Sequence, residues 1–464
     1  MKKDRFDSYD DEVRELVLDF ERTVLKGGMQ FFDVDELEMI IDYYFEVNDM
    51  KPLEAAVSFA EYLYPDSIEV KIRRAHVAIA RKQYKSALNQ LLALHEKEPD
   101  NTDLAYSLGV VYSAMDRPDE AVDHFLAASS DGWQVGRIYG NIAEEYVKKE
   151  DLPTAIKYYE LALAGDDHDT ATLYNYVDTC EQQHCCEDGC VQLERYVGRH
   201  PYSREGWHCL GMLYLDMGLL EKAVDAFEYA LAIDKTSVET CLELAYAYEL
   251  SGQLGRASST LLQMAEGGDN KVEAYRAVGQ LYQRHGNIAT SNSYFAKALS
   301  EQPDDALSLA GMAVNFAAQG DVATATQTVR LAERLAPDDA DVMLAVAKVA
   351  DADGDTKTAD DSFERLIASE QCNEHHCREY TDYLFRHKRY DMVIDFAEES
   401  LDMYPGDVFY STYMAAACFY TNRYNKARKV LPDVVVDELA LLCPAIMEHP
   451  LLGPLLPGNN VANS

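Results

Sequence analysis

Apolar residues recur along most of the chain at spacings of three and four, the period of a helix with one buried face. These segments run for a dozen residues or so and are broken by short polar turns. Prolines mark the breaks: Pro65, Pro99, Pro201, Pro303, Pro337 and Pro405 are separated by 34, 102, 102, 34 and 68 residues, every gap a multiple of 34. Independent domains have no reason to keep such phase. An internal repeat therefore replaces the three-domain expectation that a length of 464 residues suggests.

Cut into blocks of 34 with that proline at place thirty-two, the chain gives twelve blocks. They begin at Val34, Ile68, Thr102, Gly136, Thr170, Arg204, Val238, Val272, Ala306, Ala340, Glu374 and Val408. Pro52, Pro118 and Pro153 then fall at places seventeen to nineteen, where a turn or the first residue of a helix suits a side chain with no N–H. Each block reads as a helix, a tight turn and an antiparallel second helix. Place twenty is alanine in eight blocks (Ala87, Ala121, Ala155, Ala223, Ala257, Ala325, Ala359 and Ala427). Place eight is Gly109, Gly211 or Gly279 in three and alanine in six, Ala143 and Ala245 among them. Bulky residues recur in phase, at Tyr112, Tyr146, Tyr214, Tyr248 and Tyr282 and at Phe125, Tyr159, Phe227, Phe295 and Phe363. Small side chains let two helix backbones approach, and the large ones fill the grooves around them. One pair cannot bury its apolar face alone, so the blocks must stack.

This conjunction of period and residue types resembles the tetratricopeptide repeat family. The block from Arg204 carries Trp207, Leu210, Gly211, Tyr214, Ala223, Phe227 and Ala230; that from Thr102 carries Leu108, Gly109, Tyr112, Ala121, Phe125 and Ala128. The resemblance covers residues 34–441 and implies an all-α, right-handed superhelical solenoid of antiparallel helix pairs. It also implies a concave groove, lined mainly by first helices, that holds a peptide or protein segment. Blocks 170–203 and 374–407 are atypical: Tyr176, Val177 and Gly189 in the one, and Thr381, Val393 and Ser400 in the other, replace the usual residues. Residues 1–33 read as a capping region with a helix over 11–26. Pro432 interrupts the last block, a short helix over about 433–443 closes the core, and 442–464 read as a cap and a flexible Pro/Leu-rich tail.

Charge narrows the partner. The chain has 81 acidic and 42 basic residues, a net charge of −39, which repels phosphate backbones and anionic lipid alike. Nucleic acid and membrane are excluded as expected partners, and a basic protein segment is favoured. Self-association stays open. The first residues, MKKDRFDSYDD, lack the apolar stretch of a secretory signal, and ten cysteines without one are expected to stay reduced in the cytoplasm.

Catalytic motifs are missing: there is no G-x-x-x-x-G-K-[ST], no G-x-S-x-G and no H-E-x-x-H. The array leaves 33 residues before it and 23 after, too few for a catalytic domain, so no enzyme and no cofactor are expected. Cys180, His184, Cys185, Cys186 and Cys190 offer zinc-type ligands, as do Cys372, His375, His376 and Cys377. No C-x-x-C pair occurs, however, and Cys180 stands where tyrosine packs elsewhere. Packed thiols are the default reading, with a metal-binding protein as the alternative. A second alternative is a chaperone-associated adaptor using the family's carboxylate clamp, because Asn141 and Asn175 occupy the equivalent place in adjacent blocks. Glu205 and Cys209 stand where that clamp requires lysine and arginine.

Places two, five, nine and twelve share one face of a helix. If first helices line the groove, its peptide-binding residues are Glu144, Asp178, Glu181, Glu205, Glu239 and Glu249, with His208, Tyr246, Glu243 and Asp216 close by and Arg276 and Gln280 beyond. Residues 136–271 would then form an acidic stretch. Leu307, Ala310, Val314 and Ala317 make the later face apolar.

Overall fold

The computed structural model describes residues 11–132, 134–165, 170–266, 270–403 and 406–457. These residues form 27 α-helices, four short 3₁₀ turns and no strand. The chain falls into two compact units, Met1–Gly252 and Gln253–Ser464. The division lies inside the block from Val238, between its two helices.

In both units the helices keep the sequence phase. First helices begin at Val34, Ile68, Thr102, Thr170, Arg204, Val238, Ala306, Ala340, Glu374 and Val408, the first place of each block. The other two begin one residue early, at Val135 and Lys271. The residue before the first place explains the sharp starts. Asp33, Ser67, Asn101, Ser203, Ser237, Asp305, Asp339, Asn373 and Asp407 each accept a hydrogen bond from a backbone N–H of the first turn. Such a cap satisfies a donor that the helix itself cannot, and is worth ~1 kcal/mol.

The ends of the first helices are just as regular. Every thirty-fourth residue from Asn48 to Asn422, place fifteen of all twelve blocks, has a positive φ. The next N–H reaches back to the carbonyl of place eleven, as from Asp49 to Tyr44 (3.1 Å), Gln83 to Ala78 (2.8 Å) and Cys185 to Cys180 (2.9 Å). This is a left-handed Schellman end, which turns the chain tightly into the second helix. Only five of the twelve residues are glycine. The other seven (Asn48, Lys82, Asp116, Glu150, His184, Lys388 and Asn422) hold φ between 52° and 59°. His184 is thus a turn residue.

In the blocks from Thr102, Arg204 and Val272 the close approach is real. All eight place-twenty alanines are fully buried. A Cβ added at Gly109, Gly211 or Gly279 would lie 2.6 to 2.7 Å from the ring of Phe125, Phe227 or Phe295, the bulky residue of the same block. The rings themselves are at most 2% exposed. Small residue and ring form one lock between the two helices.

The atypical blocks accommodate their unusual residues in different ways. In the block from Thr170, a Cβ at Gly189 would meet Leu213 Cδ1 at 2.9 Å and Cys180 Sγ at 3.0 Å. Gly189 makes room for a thiol and a neighbouring leucine; Tyr176 and Val177 beside them are fully buried. In the block from Glu374 the Thr381 and Ser400 hydroxyls donate to Cys377 O and Phe396 O (both 2.9 Å), so both polar groups are satisfied within their own helices.

The C-terminal end departs from the expected flexible tail. Pro432 ends the helix Tyr424–Val430, and the helices Val436–Leu442 and Pro444–Met447 follow with a 3₁₀ turn over Gly453–Leu455. Ile446, Leu452 and Leu456 are fully buried in one cluster with Tyr410 and Leu439. The leucines that read as tail composition pack onto the last block instead, because its outer face would otherwise be uncovered. Residues 458–464 lie outside the described residues.

Two substitutions test this account. Gly211→Ala should destabilise the protein by about 1–3 kcal/mol in denaturant melts, because overpacking against Phe227 outweighs alanine's better helix propensity. An unchanged or raised midpoint would mean the ring can move aside. His184→Gly should stabilise by about 0.5–1 kcal/mol, the left-handed strain relieved less the entropy glycine adds to the unfolded chain.

Candidate protein-binding surface

In the unit Met1–Gly252 the helices Val135–Lys148, Thr170–Gln182, Arg204–Asp216 and Val238–Leu250 pack side by side, each against the next. Residues about one block apart therefore meet across them. Asn175 Nδ2 donates to Glu144 Oε1 at 2.9 Å, and His208 Nδ1 lies 3.1 Å from Thr240 Oγ1. The Tyr174 hydroxyl reaches Glu239 Oε2 at 3.4 Å across two blocks.

The carboxylates on this face divide into two groups. Glu205 and Glu239 have partners. Arg204 holds Glu205 at 2.7 Å and reaches Ser237 Oγ at 3.1 Å, while Glu239 lies 3.6 Å from His208 Nε2. Asp178, Glu181 and Glu243 make no ion pair or hydrogen bond among the described residues. Glu181 is half-buried; burial first, then the charges of Asp216, Asp178 and Glu243, push its carboxyl up to about 7. Glu243 is raised as well, by burial and then by Glu239. Asp216 is exposed and accepts a 3.2 Å hydrogen bond from the Cys186 thiol, which supplies no positive charge. Three successive first helices thus bring carboxylates together with no cation among the described residues between them, an arrangement that favours a proton or a positively charged ligand.

The expected residues do not all serve alike. Asp178, Glu239 and Tyr246 are exposed, Tyr246 by 47%, while Glu144, Glu181, Glu205, Glu243 and Glu249 are half-buried. His208 corrects the sequence reading. It is 1% exposed, sits against the rings of Tyr174 and Phe227, and its pKa is lowered by burial, so it supports the surface from below. Arg276 and Gln280 belong to the other unit, where Arg276 is spent on Asp305 at 2.9 Å and Gln280 is half-buried. Sequence reasoning passed over Tyr174 and Arg204. Tyr174 stands at place five of its block, on the same face as Asp178 and Glu181.

The alternatives fare differently. Asn141 donates to the Tyr106 hydroxyl at 3.1 Å and Asn175 to Glu144, so neither amide is presented as a clamp requires. Burial raises the thiols of Cys180, Cys186 and Cys190, Cys186 to about 12 and Cys190 to about 11. Among the described residues no group of three or more His, Cys, Asp or Glu is placed to hold a metal ion.

Three stretches match family models described as tetratricopeptide repeat: residues 136–164, 204–237 and 277–340. The middle stretch coincides with the block from Arg204, the first begins with the block from Gly136, and the last spans most of the blocks from Val272 and Ala306. The chain carries tandem tetratricopeptide repeats. Tetratricopeptide repeats imply a protein–protein interaction scaffold, and proteins built of them are generally non-catalytic. Among curated proteins the chain is similar to superkiller complex protein 3 of Homo sapiens, 23% identical over 257 residues; these are 54% of this chain but only 16% of that protein. Among solved structures it is similar to a tetratricopeptide repeat protein from Parabacteroides merdae (18% identity, 52% of this chain and 96% of that one, TM-score 0.40). It is also similar to a chain of the APC/C hetero-tetramer Cut9–Hcn1 (14% identity, 88% and 96%, TM-score 0.36). No helix of the described residues is long and apolar enough to cross a membrane.

Glu181 yields a pH prediction for this repeat protein. Its carboxyl is raised in the fold from an ordinary value of 4.5, so the fold favours the protonated form. Its contribution is therefore full below about pH 4.5 and falls as pH rises towards 7, where the folded protein must carry the charge. Glu181→Gln should have a higher Tm than the parent at about pH 8, with the gap closing towards about pH 5. A gap of constant size would show that Glu181 is not under charge strain.

Proposed function

We propose that this protein is a non-catalytic scaffold that holds a Lys/Arg-rich protein segment against the first helices of the blocks from Gly136 to Val238. One observation carries the reading: Asp178, Glu181, Asp216 and Glu243 converge from three successive helices, and no cation among the described residues neutralises them. A lysine or arginine entering between them would remove that repulsion, and the half-buried setting of Glu181 and Glu243 strengthens the attraction relative to open solvent. Exposed Tyr246 adds an aromatic face on which an aliphatic stem or a guanidinium can rest. Support also comes from the net charge of −39 and from the curated relative, which is named as part of a complex. The reading rests on the first unit alone, since Arg276 is already paired.

A fluorescein-labelled peptide of alternating lysine and alanine is a suitable probe. Its affinity should fall steeply with salt, as the Debye length shrinks from ~10 Å at 0.1 M to ~3 Å at 1 M. Glu239→Lys/Glu243→Lys should weaken binding at least tenfold, whereas Glu221→Lys/Asp225→Lys, the same charge change at exposed positions of a second helix, should leave most of it. Equal binding by the two variants would place the site elsewhere. Affinity should also rise between about pH 6 and pH 8 as Glu181 gives up its proton.

A further inference from the structure

In the second unit, the start of the helix Glu374–Arg386 is built around two cysteines. Asn373 is its N-cap and accepts from His376 N at 3.2 Å, while the His376 ring nitrogen Nδ1 accepts from Asn373 N at 3.2 Å, closing a capping box. Cys372 precedes the cap and Cys377 is the fourth helical residue. These two positions are the ones whose side chains meet across a helix start, usually as a hydrophobic staple. Here the meeting side chains are thiols, with Sγ atoms 3.6 Å apart. The approach is held from both sides. Cys372 N bonds to Ser369 O and Cys377 N to Asn373 O (both 3.1 Å), and His376 Nε2 lies 3.1 Å from Asp341 Oδ1 on the preceding first helix. Both cysteines are partly exposed, so a small reagent can reach them.

We propose that Cys372 and Cys377 are a thiol–disulfide site that a low-molecular-weight disulfide such as oxidised glutathione converts into a covalent staple at this helix start. Burial pushes the Cys377 thiol up to about 12, so the first attack falls to Cys372. The Cys372 thiolate attacks one sulfur of the glutathione disulfide and expels one glutathione thiolate, leaving a mixed disulfide. Cys377 gives its proton to solvent, and its sulfur attacks Cys372 Sγ and expels the second glutathione. Two protein thiols are oxidised, and one small disulfide is reduced to two thiols. The helix start needs only a short closure to reach bonding distance, which favours this ring over a lasting mixed disulfide.

The staple would covalently fix the beginning of the block whose residues are least typical of the repeat, where His376 ties it to Asp341. The site is independent of the acidic surface in the first unit, so either reading can fail without the other.

The test incubates the full-length chain with oxidised glutathione, alkylates the remaining thiols under denaturing conditions and maps the products by mass spectrometry. The ten free cysteines should fall to eight alkylated ones, with a Cys372–Cys377 crosslink as the main product and no glutathione retained. Cys377→Ser should stop at a mixed disulfide on Cys372, and Asn373→Gly, which removes the side-chain half of the capping box, should slow ring closure while leaving the first step intact. A stable mixed disulfide on the parent chain would overturn the proposal. So would a crosslink formed first between Cys180 and Cys185, or closure at the parent rate in Asn373→Gly.

Discussion

Everything in this fold depends on how closely two helices of one block can approach. The approach is set by a small residue facing an aromatic ring: Gly211 opposite Phe227, Gly109 opposite Phe125, Gly279 opposite Phe295. With the ring buried in that gap, the second helix lies against the first along its length, and the outer face of the pair becomes the seat for the next block. A fully buried ring contributes roughly 2–3 kcal/mol, and Tyr159 and Phe363 fill the same place in the blocks from Gly136 and Ala340. Stability in such an array is a sum of block terms and neighbour terms, so a fault in one lock is felt first by the adjoining blocks.

The sequence shows this architecture plainly because the lock uses residue types that stand out: glycine, alanine, phenylalanine and tyrosine at fixed places. It shows the helix starts as well, through Ser, Asp and Asn one residue before ten of the twelve blocks. The left-handed turn was harder to read. Glycine reveals it in five blocks only, while Lys82, Glu150 and His184 adopt the same conformation with no outward sign. Local propensity is overruled there by the six-residue backbone loop that the packed helix pair imposes. The same blindness made His184 look like part of a ligand cluster and Gly189 look merely atypical. Gly189 is instead the small partner of a lock made with Cys180 and Leu213.

Burial explains what went unread at the surface. A helical face can be listed by spacing, but spacing does not tell how deep each place lies once neighbouring helices close over it. His208 and Glu239 are both on the face by that criterion, yet the histidine is 1% exposed and the glutamate side chain 58%. The difference arises because His208 lies over the Gly211–Phe227 lock of its own block, where the neighbouring first helix covers it. Glu205 looked available as well, but Arg204 beside it folds back to hold it. The tail was misread for a related reason. Its leucines had no periodicity to announce them, and only the exposed flank of the last block shows where they go.

Glu181 and Glu243 are where the fold and the proposed function pull apart. Substituting either by glutamine would remove charge repulsion while keeping the size of the side chain, and neither stands at a place that forms a lock. A position that is costly to the fold and easy to relieve points to a use elsewhere, because stability alone gives no reason to keep it. Tetratricopeptide repeats make such an expense tolerable. The locks carry the fold at places that do not face the ligand, so the face left over can be loaded with like charge, and the strain is shared among three helices before any block has to open.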